Sequence, residues 1–456
     1  MPAIRDRIPP YVACSGAWRA PLGVASSQRL CYFVYKFVHS HGDRAEDRGE
    51  SYMETVELLR DGITDRLDMY RERRDAMERA DRYFYLQAIK GPTNHRVTLA
   101  DGREMVMLAS YSYLGLIGHP RIEAAAKQAI DEYGTGAGGV RLLTGTTDLH
   151  ERLEARIAEF SKREDACVYS SGYVTNMAII TGLTGPGDLI LLDKLDHASI
   201  VDGALLSGAK WKTYRHNDMA HLDKLLSEAA GEYNTVLVIA DSVFSMDGDV
   251  MDLPATRALC DRYGARLMVD EAHSIGALGR TGHGIEEHFN MVGSIDLKMG
   301  TLSKSIPSVG GYLAGDRDLV GYQRHFSRPF IFSAALPPAQ TAAALEAFNV
   351  IEDEPWRVEQ LHGVQRAYAQ GLQAQGWNTM AATTCVVPVF VGDEGKTMDL
   401  TRMLFDRGVF VCPIVHPAVP RGTDRLRTCL MATHTDEDIA QALDAFEEAG
   451  KALGLI

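Results

Sequence analysis

The chain has 456 residues but no long apolar run; the longest near-candidate, Leu30 to Val38, is short and broken by Lys36. A membrane helix needs about 20 consecutive apolar residues, so no transmembrane segment is expected. Cysteine is sparse: seven residues, at 14, 31, 167, 260, 385, 412 and 429, with no CxxC pair among them. That spacing offers neither a zinc ligand set nor a disulfide framework, and no metal site is expected. It suits a reducing compartment, so the expected location is cytoplasmic. Basic charge is also in deficit. With 47 Lys and Arg against 61 Asp and Glu, the net charge is -14, which argues against nucleic acid as a partner. It does not exclude a CoA or carrier-protein ligand, because a local basic pocket can sit in an acidic whole.

What is present is a chain long enough for a large core, with 46% hydrophobic residues. Residues 1–52 lack a sustained period and carry a polar tract from His39 to Ser51. Their acidic residues fit a transit segment poorly. The plainest account is that translation starts at Met53, with a disordered extension as the alternative. From Val56 the spacing Val56, Leu59, Ile63, Leu67, Tyr70 predicts an amphipathic helix. Residues 53–100 read as this helix and a connecting segment.

Short apolar runs then alternate with helical stretches: Ala166 to Tyr169, Leu189 to Leu192, Thr235 to Ala240, Arg266 to Val269. This predicts an α/β fold with a mainly parallel sheet over residues 101–345 and helices on both faces. Ligands in such sheets bind beyond the carboxyl ends of strands, where Gly172, Asp270 and His273 fall. After residue 345 the pattern changes. Strand-like runs at Val386 to Val391, Val409 to Val411 and Leu426 to Leu430, and a helix opening at Thr435, predict a smaller α+β domain over 346–456.

Gly134-Thr135-Gly136-Ala137-Gly138-Gly139 matches GxGxxG, yet follows a helical stretch, Ile122 to Tyr133. A dinucleotide fingerprint needs a strand there, so a Rossmann oxidoreductase is the weaker reading. Gly300-Thr301-Leu302-Ser303-Lys304-Ser305, downstream of Val269-Asp270-Glu271-Ala272-His273, carries more. Pyridoxal phosphate (PLP) needs a lysine for its aldehyde, hydroxyls for its phosphate and an acid for its ring nitrogen. Lys304, Thr301 with Ser303, and Asp270 supply them in order. A carboxylate keeps the ring nitrogen protonated because opposite charge favours the charged form. Ser170, Ser171 and the amides of Gly172 and Tyr173 could hold phosphate at a helix N-terminus, although Ser170-Ser171-Gly172 also reads as a plain helix cap. His197 alone would be an ordinary surface or core histidine.

Taken together, Tyr111-Ser112-Tyr113-Leu114-Gly115, Gly134 to Gly139, Ser171-Gly172-Tyr173, Asp196-His197-Ala198-Ser199, Val269 to His273 and Gly300 to Lys304 resemble the α-oxoamine synthases. These are PLP enzymes of the aspartate-aminotransferase fold type I. Arg328 to Ser333 and Leu336-Pro337-Pro338 are most similar to bacterial serine palmitoyltransferases. The resemblance spans about residues 80 to 450. It implies a seven-stranded sheet and a homodimer with shared active sites. It also implies condensation of a small amino acid, serine foremost, with acyl-CoA or an acyl carrier protein, in sphingolipid metabolism for the serine enzymes.

By position, the resemblance makes Lys304 the Schiff-base lysine, Asp270 the pyridinium partner, His197 the histidine stacked on the ring, and His273 the one near its phenolic oxygen. Ser333 stands where the family binds phosphate from the neighbouring subunit, and Arg427 where it holds the amino-acid carboxylate. Ser112 replaces a usual asparagine near the substrate. Val415 stands where serine palmitoyltransferases carry a further arginine. Glycine or alanine as the amino acid, and a catalytically inactive partner subunit, are the alternatives.

Removing residues 1–52 is expected to leave the thermal midpoint and turnover almost unchanged. A large loss of either in the shortened chain would assign the extension a place in the working protein.

Overall fold

The apolar runs form strands because both of their faces are covered. In the Arg266–Asp270 strand every residue after Arg266 is buried. Alternate side chains enter different clusters: Leu267 and Val269 pack with Leu222 and Leu253, while Met268 packs with Ile180 and Ile239. Successive strand residues point to opposite faces, so a strand covered on both sides reads as unbroken hydrophobicity. Each such side chain contributes roughly 1.5–3 kcal/mol on burial.

In the computed structural model, which describes residues 62–380 and 382–456, seven strands form one sheet. Their order is Asp165–Tyr169, Gly311–Gly315, Leu297–Thr301, Arg266–Asp270, Val236–Asp241, Leu189–Asp193 and Lys210–Tyr214. Gly311–Gly315 runs antiparallel to both of its neighbours, and the other pairings are parallel. The fold is therefore α/β with a mixed, mainly parallel sheet. The described residues belong to one unit, Asp61–Ile456. None of their helices is long and apolar enough to cross a membrane.

Toward the C-terminus a three-stranded antiparallel sheet forms from Val386–Phe390, Arg425–Cys429 and Cys412–Ile414. The helix Asp436–Ala452 closes it, capped by Thr435 and burying Ile439 and Phe446. A four-stranded sheet joins distant parts of the chain. Glu104–Met107 pairs with Arg96–Leu99 on one side and, in parallel, with Val409–Phe410 on the other. Strand pairing therefore ties the start of the expected large domain to the small one.

Two expectations shift. Of the predicted N-terminal helix, Val56 and Leu59 lie outside the described residues, and Gly62–Arg79 is helical but buries none of its side chains. Leu67 and Tyr70 stay exposed because this helix rests on the body through polar contacts, such as Arg73 with the His416 carbonyl at 3.1 Å. The glycine-rich stretch does follow a helix, Pro120–Tyr133. Gly134 ends that helix at φ 78°, its N–H reaching the Ile130 carbonyl, which is a helix stop and no dinucleotide turn.

Beyond the Leu189–Asp193 strand, His216 bridges two carboxylates, Asp193 at 2.9 Å and Asp249 at 2.8 Å. Burial opposes its charge, but the hydrogen bonds to Asp193 and Asp249 outweigh burial and carry the pKa up to about 10 from 6.5. The folded state therefore holds a proton that the unfolded chain releases near pH 6.5. This stabilisation is complete below about pH 6.5 and is lost as pH rises toward 10. Thermal midpoints across that interval are expected to fall with pH, and the slope is expected to flatten in His216→Gln. An equal slope in both proteins would remove His216 as its source.

Candidate active site

Asp270 ends its strand beside the carboxyl end of Leu297–Thr301, with Asp270 opposite Met299. After Thr301 the chain loops through residues 302–310 and returns antiparallel as Gly311–Gly315. Lys304 rides on this loop, which is pinned by the fully buried Leu302 and Ile306 and by Leu302 N–H to the Gly310 carbonyl, 2.9 Å. The apolar flanks fix the loop, and the lysine is left to face the site.

The Lys304 amine lies 3.0 Å from His273 Nε2. Protein atoms crowd that amine, and burial brings its pKa down to about 8, Asp270 opposing the fall and Arg427 adding to it. His273 is itself buried, and its pKa is held well below the ordinary value by burial, then by Lys304 and Arg427. It is a neutral imidazole.

Asp270 is buried and held at both oxygens: Oδ2 accepts from Asn176 Nδ2 at 2.7 Å and Oδ1 from the Ala272 amide at 2.9 Å. Asn176 also donates to Ser199 Oγ at 2.9 Å, and Ser199 Oγ lies 2.7 Å from His197 Nδ1. A single chain of contacts thus joins the acid to His197, which caps the helix Ala198–Ser207. The His197 ring is open to solvent on one side, yet the atoms packed around it keep its pKa low, burial being the main cause. Asp241, in register with Asp270 on the next strand, has its pKa pushed well above the ordinary carboxylate value by burial and then by Asp270.

The hydroxyls converge as well. Thr301 Oγ1 and Ser303 Oγ are 2.9 Å apart. Thr301 sits against the N-terminus of helix Gly172–Leu183, where Ser171 Oγ caps the Val174 amide at 3.2 Å. A Cβ placed on Gly172 would stand 2.8 Å from Thr301 Oγ1, so only glycine lets the helix start this close. The first amides of a helix have no intrahelical acceptor, and the end carries partial positive charge. Two hydroxyls beside such an end suit a phosphate. The Tyr173 ring packs edge-on to His197 at 6.1 Å, and its hydroxyl bonds Asp202.

Arg427 is buried, its Nε bonded to the Ser245 carbonyl, and its Nη2 has no partner. Its guanidinium carbon lies 4.7 Å from the centre of the Tyr111 ring, with the Lys304 amine 5.8 Å from the same ring. A buried cation with an unused donor beside a low-pKa lysine suits a carboxylate. These are the features PLP and an amino acid require, and the residues fit both.

Two expected residues stand apart. Ser333 lies beside the bridge between Val140 and Ala334, and Ser112 keeps a buried, unpartnered hydroxyl. Neither side chain has a hydrogen bond to the Lys304 cluster among the described residues. The sequence reading passed over Asn176, and it quoted Tyr113 and Ser199 within motifs without giving either a role. Asn176, a polar residue inside the apolar helix GYVTNMAIITGL, is the one whose sequence context carried a signal. Behind the sheet, Lys298 pairs with Glu271 at 3.2 Å and Glu286 at 3.3 Å, all buried, and Glu286 also meets Arg163 at 2.7 Å. These charges are mutually satisfied.

Residues 103–446 match the family described as Aminotransferase class I and II. The 8-amino-7-oxononanoate synthase of Thermoanaerobacter pseudethanolicus is 42% identical over 86% of this chain and 98% of its own. The serine palmitoyltransferase of Bacteriovorax stolpii is 38% identical over 83% of this chain and 90% of its own. The solved serine palmitoyltransferase of Sphingomonas wittichii superposes with a TM-score of 0.84 at 34% identity, covering 87% of this chain and all of that one. Strand order, site geometry and kinship agree: the chain belongs to the class I and II aminotransferase family, with fold type I, and within it to the PLP-dependent, acyl-transferring α-oxoamine synthases.

Proposed function

We propose that this chain joins a small α-amino acid to an acyl thioester with loss of CO2, releasing an α-amino ketone and a free thiol. The observation that carries this reading is the buried Arg427 with its unused Nη2 beside the Lys304 amine. When bound, PLP supplies a reactive carbonyl and a ring that withdraws electrons from the Cα–H bond.

In this reading Lys304 is the cofactor's lysine and, once freed by the amino acid, the base that takes the Cα proton. Its depressed pKa makes the uncharged amine available near neutrality. Asp270, fixed by Asn176 and the Ala272 amide, keeps the ring nitrogen protonated. His197 would cover the cofactor's ring and His273 would hold its phenolic oxygen. Ser171, the amides of Gly172 and Tyr173, Thr301 and Ser303 receive the phosphate. Ser333 of the partner subunit completes that cradle in a homodimer. Arg427 holds the substrate carboxylate, and Ser112 lies near the substrate. Acyl-CoA and an acyl carrier protein are both candidate donors, and the cytoplasm is the expected setting.

For the amino acid, we infer alanine ahead of serine. The serine expectation rested on likeness to serine palmitoyltransferases. Relatives of higher identity, at 42% and 44%, are 8-amino-7-oxononanoate synthases. That product's name puts the amine on C8 of nine carbons, beside the C7 ketone, so its amino-acid fragment is a CH3–CH(NH2) unit. Val415, buried and apolar, stands where the serine enzymes carry an arginine. A sphingolipid role recedes with serine.

In cofactor-free protein, PLP uptake is expected to rise with pH around a midpoint near 8, as the Lys304 amine loses its proton. Lys304→Ala is expected to bind PLP only noncovalently and to lose turnover. Reductive trapping of PLP on another lysine would refute the assignment. Arg427→Ala is expected to weaken amino-acid binding about tenfold or more, since a charged hydrogen bond contributes ~1.5–3 kcal/mol. A panel of alanine, serine and glycine, followed by the cofactor's absorbance, ranks the substrates. Unaltered affinity in the arginine variant would remove Arg427 from the carboxylate.

A further inference from the structure

Tyr113 is fully buried at 0% exposure. Its segment is laced to the far end of the strand that carries Arg427: Cys429 N–H donates to the Leu108 carbonyl at 2.8 Å and Ala432 N–H to the Tyr113 carbonyl at 2.7 Å. From there the Tyr113 hydroxyl reaches His273 Nδ1 at 2.6 Å, and the opposite ring nitrogen, Nε2, stands 3.0 Å from the Lys304 amine. Two buried polar groups, Tyr113 and His273, therefore stand in line and end on the half-buried lysine.

The direction of the protons along this line follows from what each group can do. His273 Nδ1 is the one hydrogen-bond acceptor of the Tyr113 hydroxyl among the described residues. Arg427 acts on the same hydroxyl as a cation and has only donors to offer. Burial pushes the phenol pKa well up, so the hydroxyl keeps its proton. A buried O–H that finds no acceptor is costly, and the field of Arg427 turns the phenol oxygen toward the cation and its proton away. The proton points at Nδ1. A neutral imidazole that accepts at one nitrogen carries its hydrogen on the other.

We propose that Tyr113 is a positioning residue that fixes His273 as the Nε2–H tautomer, so that the imidazole donates toward Lys304 and favours its uncharged amine. The proposal rests on the reading of Lys304 as the cofactor lysine. The opposite tautomer would leave the Tyr113 proton facing nothing and would make Nε2 an acceptor, which favours the ammonium form of the lysine.

The test uses the full-length chain with its histidine side chains labelled with nitrogen-15, both free of PLP and loaded with it. The His273 signals are identified by their loss in His273→Gln. The expected spectrum has a protonated Nε2 and an unprotonated Nδ1, in both forms of the protein. In Tyr113→Phe that preference is expected to disappear, and the pH midpoint of PLP uptake is expected to rise by about one unit, a tenfold loss of free amine at a given pH. A protonated Nδ1 in the unmodified chain overturns the proposal, and that measurement needs no variant to fold. So does a Tyr113→Phe protein with an unchanged imidazole spectrum and an unchanged midpoint. PLP trapped on a lysine other than Lys304 would defeat the underlying reading instead, while the imidazole spectrum would still report on Tyr113 and His273.

Discussion

Burial of the Lys304 amine strips away hydration that its surroundings only partly replace. Asp270 favours the ammonium form, but desolvation and the cation of Arg427 prevail, and the pKa settles near 8. Much of the nearby architecture serves this balance. A loop anchored by Leu302 and Ile306 carries the lysine inward, and the antiparallel return strand closes the loop behind it. Asp270 is close enough to matter, yet both of its oxygens are held by other donors, so it can act as a fixed charge without folding onto the lysine. An acid free to form a direct ion pair would restore the ammonium and stop the chemistry.

The buried charges divide by whether they have partners. Lys298, Glu271, Glu286 and Arg163 neutralise one another behind the sheet. Removing any one of them would leave an uncompensated charge, which costs more than such a pair contributes. Arg427 differs, since its Nη2 has no partner among the described residues. Its charge is held in place by a backbone carbonyl and an aromatic face. Such an arrangement leaves the guanidinium fork available to a ligand.

The sequence made the strand ends legible because unbroken apolar runs have few alternatives, and a polar residue at the end of one has few reasons to be there. Asp270 and the Ser171-Gly172 turn were visible on those grounds, and Lys304 through its hydroxyl-flanked motif downstream of Asp270. The resemblance then supplied roles for His197, His273 and Arg427. Pairings across long sequence separations were not legible. Tyr113 meets His273 over 160 residues and Asn176 meets Asp270 over 94. No local pattern encodes which polar side chains will face each other once a sheet has formed. The antiparallel direction of Gly311–Gly315 was equally hidden, since an apolar run carries no mark of its polarity. Nor could helical spacing near Val56 reveal that the following turns would lie outside the core, because a periodic stripe says nothing about what covers it.

The acid and the lysine come from one uninterrupted stretch, the strands Arg266–Asp270, Leu297–Thr301 and Gly311–Gly315 with their connecting segments. Arg427 arrives more than a hundred residues later. A chain leaving the ribosome therefore presents the pieces in a fixed sequence, with the strands that carry Asp270 and Lys304 available to pair while the Arg425–Cys429 strand has yet to be made. Until that strand is made, the nascent chain has no carboxylate anchor and lacks the backbone bonds that hold the Tyr113 segment. A half-synthesised or C-terminally truncated chain thus carries Lys304 and Asp270 without a place to hold an amino acid.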